Sequence, residues 1–137
     1  MADQTEKVKV LILSRDADWC VMANAALKRN GVDVVDVVTE AAVIPFGELS
    51  ARYNILVVDK PFMGNARDTA TLVRLIRREF FDPMIGMELY SDAGELLSLR
   101  VAGCNFYVRL GLPGMGIHKL ARTIDQISHE LQEPQRD

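Results

Sequence analysis

At 137 residues the chain has the length of one domain with room for a buried core. Apolar residues make up 49% and charged residues 26%, the balance of an ordinary globular protein. Sixteen basic against 19 acidic side chains leave a net charge of -3, which gives no footprint for nucleic acid, and the apolar runs fall far short of the roughly 20 residues a membrane helix needs.

The opening MADQTEKVKV is polar and lacks the apolar stretch of a signal peptide, so a cytoplasmic location is expected. Val8 to Leu13 is a short, nearly continuous apolar run, the pattern of a strand covered on both faces. A helix is predicted over about 17 to 30. Asp16 or Asp18 caps its start, Lys28 and Arg29 lie in its last turn, and Gly31 stops it. Val32 to Val38 is β-branched and reads as a second strand. The next segment, EAAVIPFGELSAR, is helical in part, but Pro45 and Gly47 predict a short, kinked or partly irregular element.

Ile55 to Val58 is a third buried strand and runs directly into Asp59. Beyond a turn at Pro61 and Gly64, Leu72, Leu75, Ile76 and Phe80 line one face of a helix, with Arg74, Arg77 and Arg78 read as its solvated side. Pro83 closes that region and Met84 to Leu89 supplies a fourth strand. Ser91 is the expected N-cap of a helix reaching Ala102 and stopping at Gly103; Asn105 to Leu110 is the fifth strand. Ile117, Leu120, Ile124, Ile127 and Leu131 then recur at helical spacing. The expected organisation is a polar tail over 1–7, one domain over 8–131 and a tail over 132–137.

Five βα units imply right-handed crossovers and a doubly wound parallel sheet of order 2-1-3-4-5. Such a sheet gathers ligand chemistry at the carboxyl ends of its strands. The residues to read are therefore Ser14, Arg15 and Asp16; Asp59 and Lys60; Glu88; and Arg109 and Leu110. Elsewhere the signals are structural. Cys20 and Cys104 are isolated within apolar stretches and read as reduced structural thiols, and Trp19 as a packing residue. His118 and His129 lack partners at zinc spacing. GLPGMG (111–116) lacks the Lys and Ser/Thr of a phosphate-binding loop. Lys60 is read as an exposed loop cation.

The segments KVLILSRDADW, ILVVDKPFMGN, PMIGMEL and AGCNFYV occur in the order and spacing of response-regulator receiver domains (CheY-like), which the chain resembles over about residues 8 to 131. The resemblance implies the flavodoxin-like receiver fold and places the phosphoacceptor position on Asp59. The family's magnesium-binding acidic pair falls on Ser14 and Arg15, with only the neighbouring Asp16 acidic. Its strand-four hydroxyl falls on Glu88. Its strand-five Lys-Pro falls on Leu110 and Gly111, with Arg109 one residue early and Pro113 two late. Tyr107 matches the switching aromatic.

These departures matter because phosphoryl transfer works mainly by positioning and by neutralising charge, largely through a hard cation held by oxygens. Arg15 removes a ligand, and Glu88 adds a negative charge where phosphoryl oxygens would lie. The expectation is an atypical receiver, not an enzyme, that signals by binding proteins and holds no cofactor or metal. In it Arg15 takes the metal's place and pairs with Asp59 or Glu88. The alternative is that Arg15 faces solvent and magnesium is held by Asp16 and Asp59, in a working receiver phosphorylated by a histidine kinase. A flavodoxin-like small-ligand binder is the third reading. The family's contact face would carry Leu99, Arg100, Tyr107 and Arg109. Expected partners are a histidine kinase, an output domain or a second copy of the chain, with no direct nucleic-acid or membrane binding.

Overall fold

In a computed structural model, residues 7–88, 96–109 and 116–132 are described. The strands are β1 (Lys9–Leu13), β2 (Val34–Val38), β3 (Ile55–Asp59), β4 (Met84–Glu88) and β5 (Phe106–Arg109). Between and after them run α1 (Ala17–Arg29), α2 (Leu49–Arg52), α3 (Ala66–Ile76), α4 (Leu96–Ala102) and α5 (Ile117–Gln132). All strand pairs are parallel and the order is β2-β1-β3-β4-β5, the doubly wound sheet expected.

The apolar runs become the three central strands because both their faces are covered. Every residue of β3 and β4 is buried. On one face α1 and α5 pack Trp19, Leu27, Leu120, Ile124 and Ile127 against Ile12, Val57 and Met87. On the other, Leu49, Val73, Ile76, Phe80 and Leu99 pack against Leu13, Val58 and Met84. Cys20 belongs to the first layer and Cys104 to the second, so the sheet lies between them, and both are free thiols.

Local chemistry sets the element ends. Asp16 Oδ1 accepts the Trp19 N–H at 3.0 Å and caps α1, and Lys28 and Arg29 sit in its last turn. Gly31 follows at φ 94°, a left-handed position that glycine occupies without strain. The Pro45/Gly47 segment yields only a 3-10 turn over Ala41–Val43 and the four-residue α2, as its composition predicts. Asn65 caps α3 by accepting the Asp68 N–H at 2.8 Å.

Three packing expectations change. Leu75 is 45% exposed, so of the expected apolar face α3 turns only Leu72 and Ile76 inward, and Phe80 is buried beyond its end. Arg77 is not on a solvated side. Its guanidinium donates to the carbonyls of Phe80, Asp82 and Gly103 and ties the end of α3 to the end of α4. Leu99 is fully buried beneath α4, so it belongs to the core and not to a contact face. Ser91 lies outside the described residues, as does the side chain of Leu131. Among the described residues no helix is long and apolar enough to cross a membrane.

Candidate functional site

The parallel register aligns the strands' carboxyl ends. Leu13 pairs with Val58 and Asp59 with Met87, so Ser14 continues beside Asp59. Glu88 pairs with Arg109, and Lys60, one residue beyond β3, continues beside Glu88. Side chains alternate between faces. Asp59 therefore follows Val57 toward the α1/α5 layer, whereas Glu88 follows Met84 toward the α2–α4 layer.

Asp59 is 3% exposed. Its Oδ2 accepts the Ser14 hydroxyl at 2.9 Å, and its Oδ1, also buried, accepts no hydrogen bond. Burial pushes the carboxyl up to about 6, and the nearby Asp16 charge adds to the rise. The Ser14 hydroxyl and the Lys60 backbone N–H and charge oppose it. The Ser14 oxygen is occupied from a second side, because it accepts the Asp16 N–H at 3.2 Å.

Lys60 is the main correction to the sequence reading. It is 6% exposed rather than a loop cation, and its Nζ donates to Glu88 Oε1 at 3.2 Å. Arg109, itself largely exposed, brings Nε to 3.3 Å from Glu88 Oε2. Arg15 does not pair with Asp59 or Glu88: it is exposed and, among the described residues, makes no ion pair. The chain leaves β1 there to form the α1 cap, which turns residue 15 outward while Ser14 stays buried. Lys60 follows the central strand β3, so its stem is covered and its amine reaches Glu88. A lone buried charge of either sign would cost several kcal/mol, and the pairing removes most of that penalty.

Tyr107 lies half-buried across the strand from Gly86. A Cβ on Gly86 would stand 3.0 Å from Tyr107 Cε1, so the missing side chain is what admits the ring. The Tyr107 hydroxyl donates to the Cys104 carbonyl at 3.1 Å. Arg100 is exposed on α4. Leu110, Gly111 and Pro113 fall outside the described residues. His118 is exposed and His129 sits 3.5 Å from Asp125 on the surface of α5.

Neither a protein-family model nor a curated protein matches the sequence. Solved structures do match the fold. A two-component response regulator from Clostridium difficile has a TM-score of 0.75 at 17% identity, over 93% of this chain and 100% of that one. The receiver domain of a Francisella response regulator gives 0.73 at 16%, over 91% and 99%. A response regulator from Thermotoga maritima gives 0.71 at 18%, over 90% and 99%. The chain has the CheY-like fold of response-regulator receiver domains.

That fold implies a magnesium ion at this end of the sheet, and apart from Asp59 Oδ1 the described side chains there do not gather as ligands for one. A hard cation needs several oxygens, charged carboxylates among them. Ser14 directs its hydroxyl proton to Asp59, and Asp16 Oδ1 is engaged in capping α1. Glu88 faces Lys60 and Arg109. Among the described residues no three His, Cys, Asp or Glu side chains gather as a metal-holding group.

Proposed function

We propose that the chain is an atypical receiver: a cytoplasmic protein-interaction module of two-component-type signalling that acts by binding, without efficient magnesium-dependent phosphorylation of Asp59. The observation that carries this reading is the buried Lys60–Glu88 pair, which neutralises the acidic end of the pocket from within the protein. A carboxylate at that end opposes the roughly -2 charge of a phosphoryl group, and the lysine that would offset it is already engaged. The Ser14–Asp59 hydrogen bond supports the same reading, since the phosphoacceptor position is satisfied by a neighbour on one oxygen.

The runner-up is a working receiver, and one observation favours it: Asp59 Oδ1 is buried and accepts no hydrogen bond. The test is incubation with acetyl phosphate and magnesium, read by intact mass. The proposal expects no gain of a phosphoryl group; a gain that disappears in Asp59→Asn establishes the runner-up instead. For partners, the surface of α4, β5 and α5, with Arg100, Tyr107 and Arg109, is our candidate for a kinase, an output domain or a second copy. Homodimerisation through it fails if sedimentation finds a monomer at high concentration.

A further inference from the structure

Helix α3 carries a basic ridge that neither the fold nor the pocket uses. Arg67, Thr71 and Arg74 lie along its exposed side, and Arg78 is exposed in the turn that follows its end. Arg67 and Arg74 are two helical turns apart, about 10 Å, and Arg78 follows four residues later, just beyond the helix end. Among the described residues none of the three arginines has an ion-pair or hydrogen-bonding side-chain partner. Arg77, between them in sequence, is the one that serves the fold.

Helix energetics accounts only for Arg74, a cation in the last turn of α3. Arg67 sits in the first turn, where the helix dipole disfavours a cation. The ridge also has an apolar shoulder. Leu75 is 45% exposed and Phe46 40%. Gly47 N–H and the Ser50 hydroxyl both bond to Glu79, which ties the loop carrying Phe46 to the segment that follows α3.

We infer that this ridge docks an acidic, amphipathic segment of a partner protein, with carboxylates against Arg67, Arg74 and Arg78 and an apolar side chain against Leu75 and Phe46. It rests on the reading of the chain as a protein-interaction module and adds the chemistry of one partner and the surface that takes it. A net charge of -3 over the whole chain works against a long polyanion such as a nucleic acid or an anionic membrane, whereas a short acidic segment meets the local charges, where Arg67, Arg74 and Arg78 outnumber Asp68 and Glu79. The exposed leucine and phenylalanine favour a protein for the same reason, since a phosphate backbone offers them nothing to bury.

The test titrates the full, isotope-labelled chain with a synthetic helical peptide bearing Glu at four-residue spacing and one Leu per turn between them, read by NMR shifts. Shifts should centre on α3 and the loop around Phe46. Affinity should fall roughly tenfold in Arg74→Glu/Arg78→Glu, and by a comparable factor on raising salt to about 0.3 M. Both substituted positions are exposed, and a melting curve verifies that the variant folds. No binding, equal binding by the variant, or shifts centred on α4, β5 and α5 would overturn the inference. So would tighter binding of duplex DNA or anionic vesicles at the same ridge, or self-association that the double variant abolishes. Phosphorylation of Asp59 in the mass experiment would end the atypical-receiver reading without altering the ridge titration, so the two fail separately.

Discussion

Replacing Asp59 by Asn should make the protein more stable at neutral pH, and the gain should vanish in acid. A folded-state carboxyl raised from 3.8 to about 6 means that ionised Asp59 opposes folding. At 1.36 kcal/mol per decade the penalty is about 3 kcal/mol. The stability that the protonated group allows is fully present below the unfolded value of 3.8 and is lost as pH rises through about 6. Asparagine keeps an acceptor for Ser14 but puts an amide where Oδ1 now accepts nothing, which costs about 1 kcal/mol at every pH. The net gain near pH 7.5 is then about 2 kcal/mol, or several degrees in Tm. Urea unfolding of both proteins from about pH 4 to about pH 7.5 isolates the charge, because the amide cost is constant. The wild-type stability should fall relative to Asp59→Asn by about 2.4 kcal/mol across that range, since about 0.6 kcal/mol is already lost at pH 4. A difference that stays flat, or moves the other way as for an aspartate held by a cation, would refute the reasoning.

Lys60→Met should destabilise by about 3 kcal/mol, because it removes the buried cation 3.2 Å from Glu88 Oε1, and Lys60→Met/Glu88→Leu should recover most of it; thermal unfolding separates the two. Arg15→Ala should stay within about 0.5 kcal/mol of wild type in the same assay, since the side chain is exposed. Gly103→Ala should cost about 1–3 kcal/mol by urea unfolding. Its φ of 139° is strained for any L side chain, and a Cβ would meet Arg77 Cγ at 2.8 Å. A silent Gly103→Ala would mean that the Arg77 tie between α3 and α4 yields easily.

Much of this protein was legible one segment at a time. Buried runs such as ILVV leave backbone groups that only a sheet satisfies, and alternation with helical periods dictates parallel strands joined by crossovers. Asp16 as a cap, Gly31 as a stop and the brevity of α2 are likewise local, since each depends on backbone conformation within a few residues. The position of Asp59 at the end of β3 belongs to the same class.

What Asp59 and its neighbours do was decided between segments. Ser14 reaches Asp59, and Lys60 reaches Glu88, because parallel register sets residues 45 and 28 positions apart side by side. Arg15 and Lys60 both follow a strand end and carry the same charge, so nothing local distinguishes them. The turn into the α1 cap sends one outward, and the central place of β3 covers the other. Leu99 and Arg77 differ from their expected exposure for the same reason. Period and charge specify which side of a helix a residue occupies, but depth and partners depend on what packs against it, and here that is set by the junction of α3 and α4.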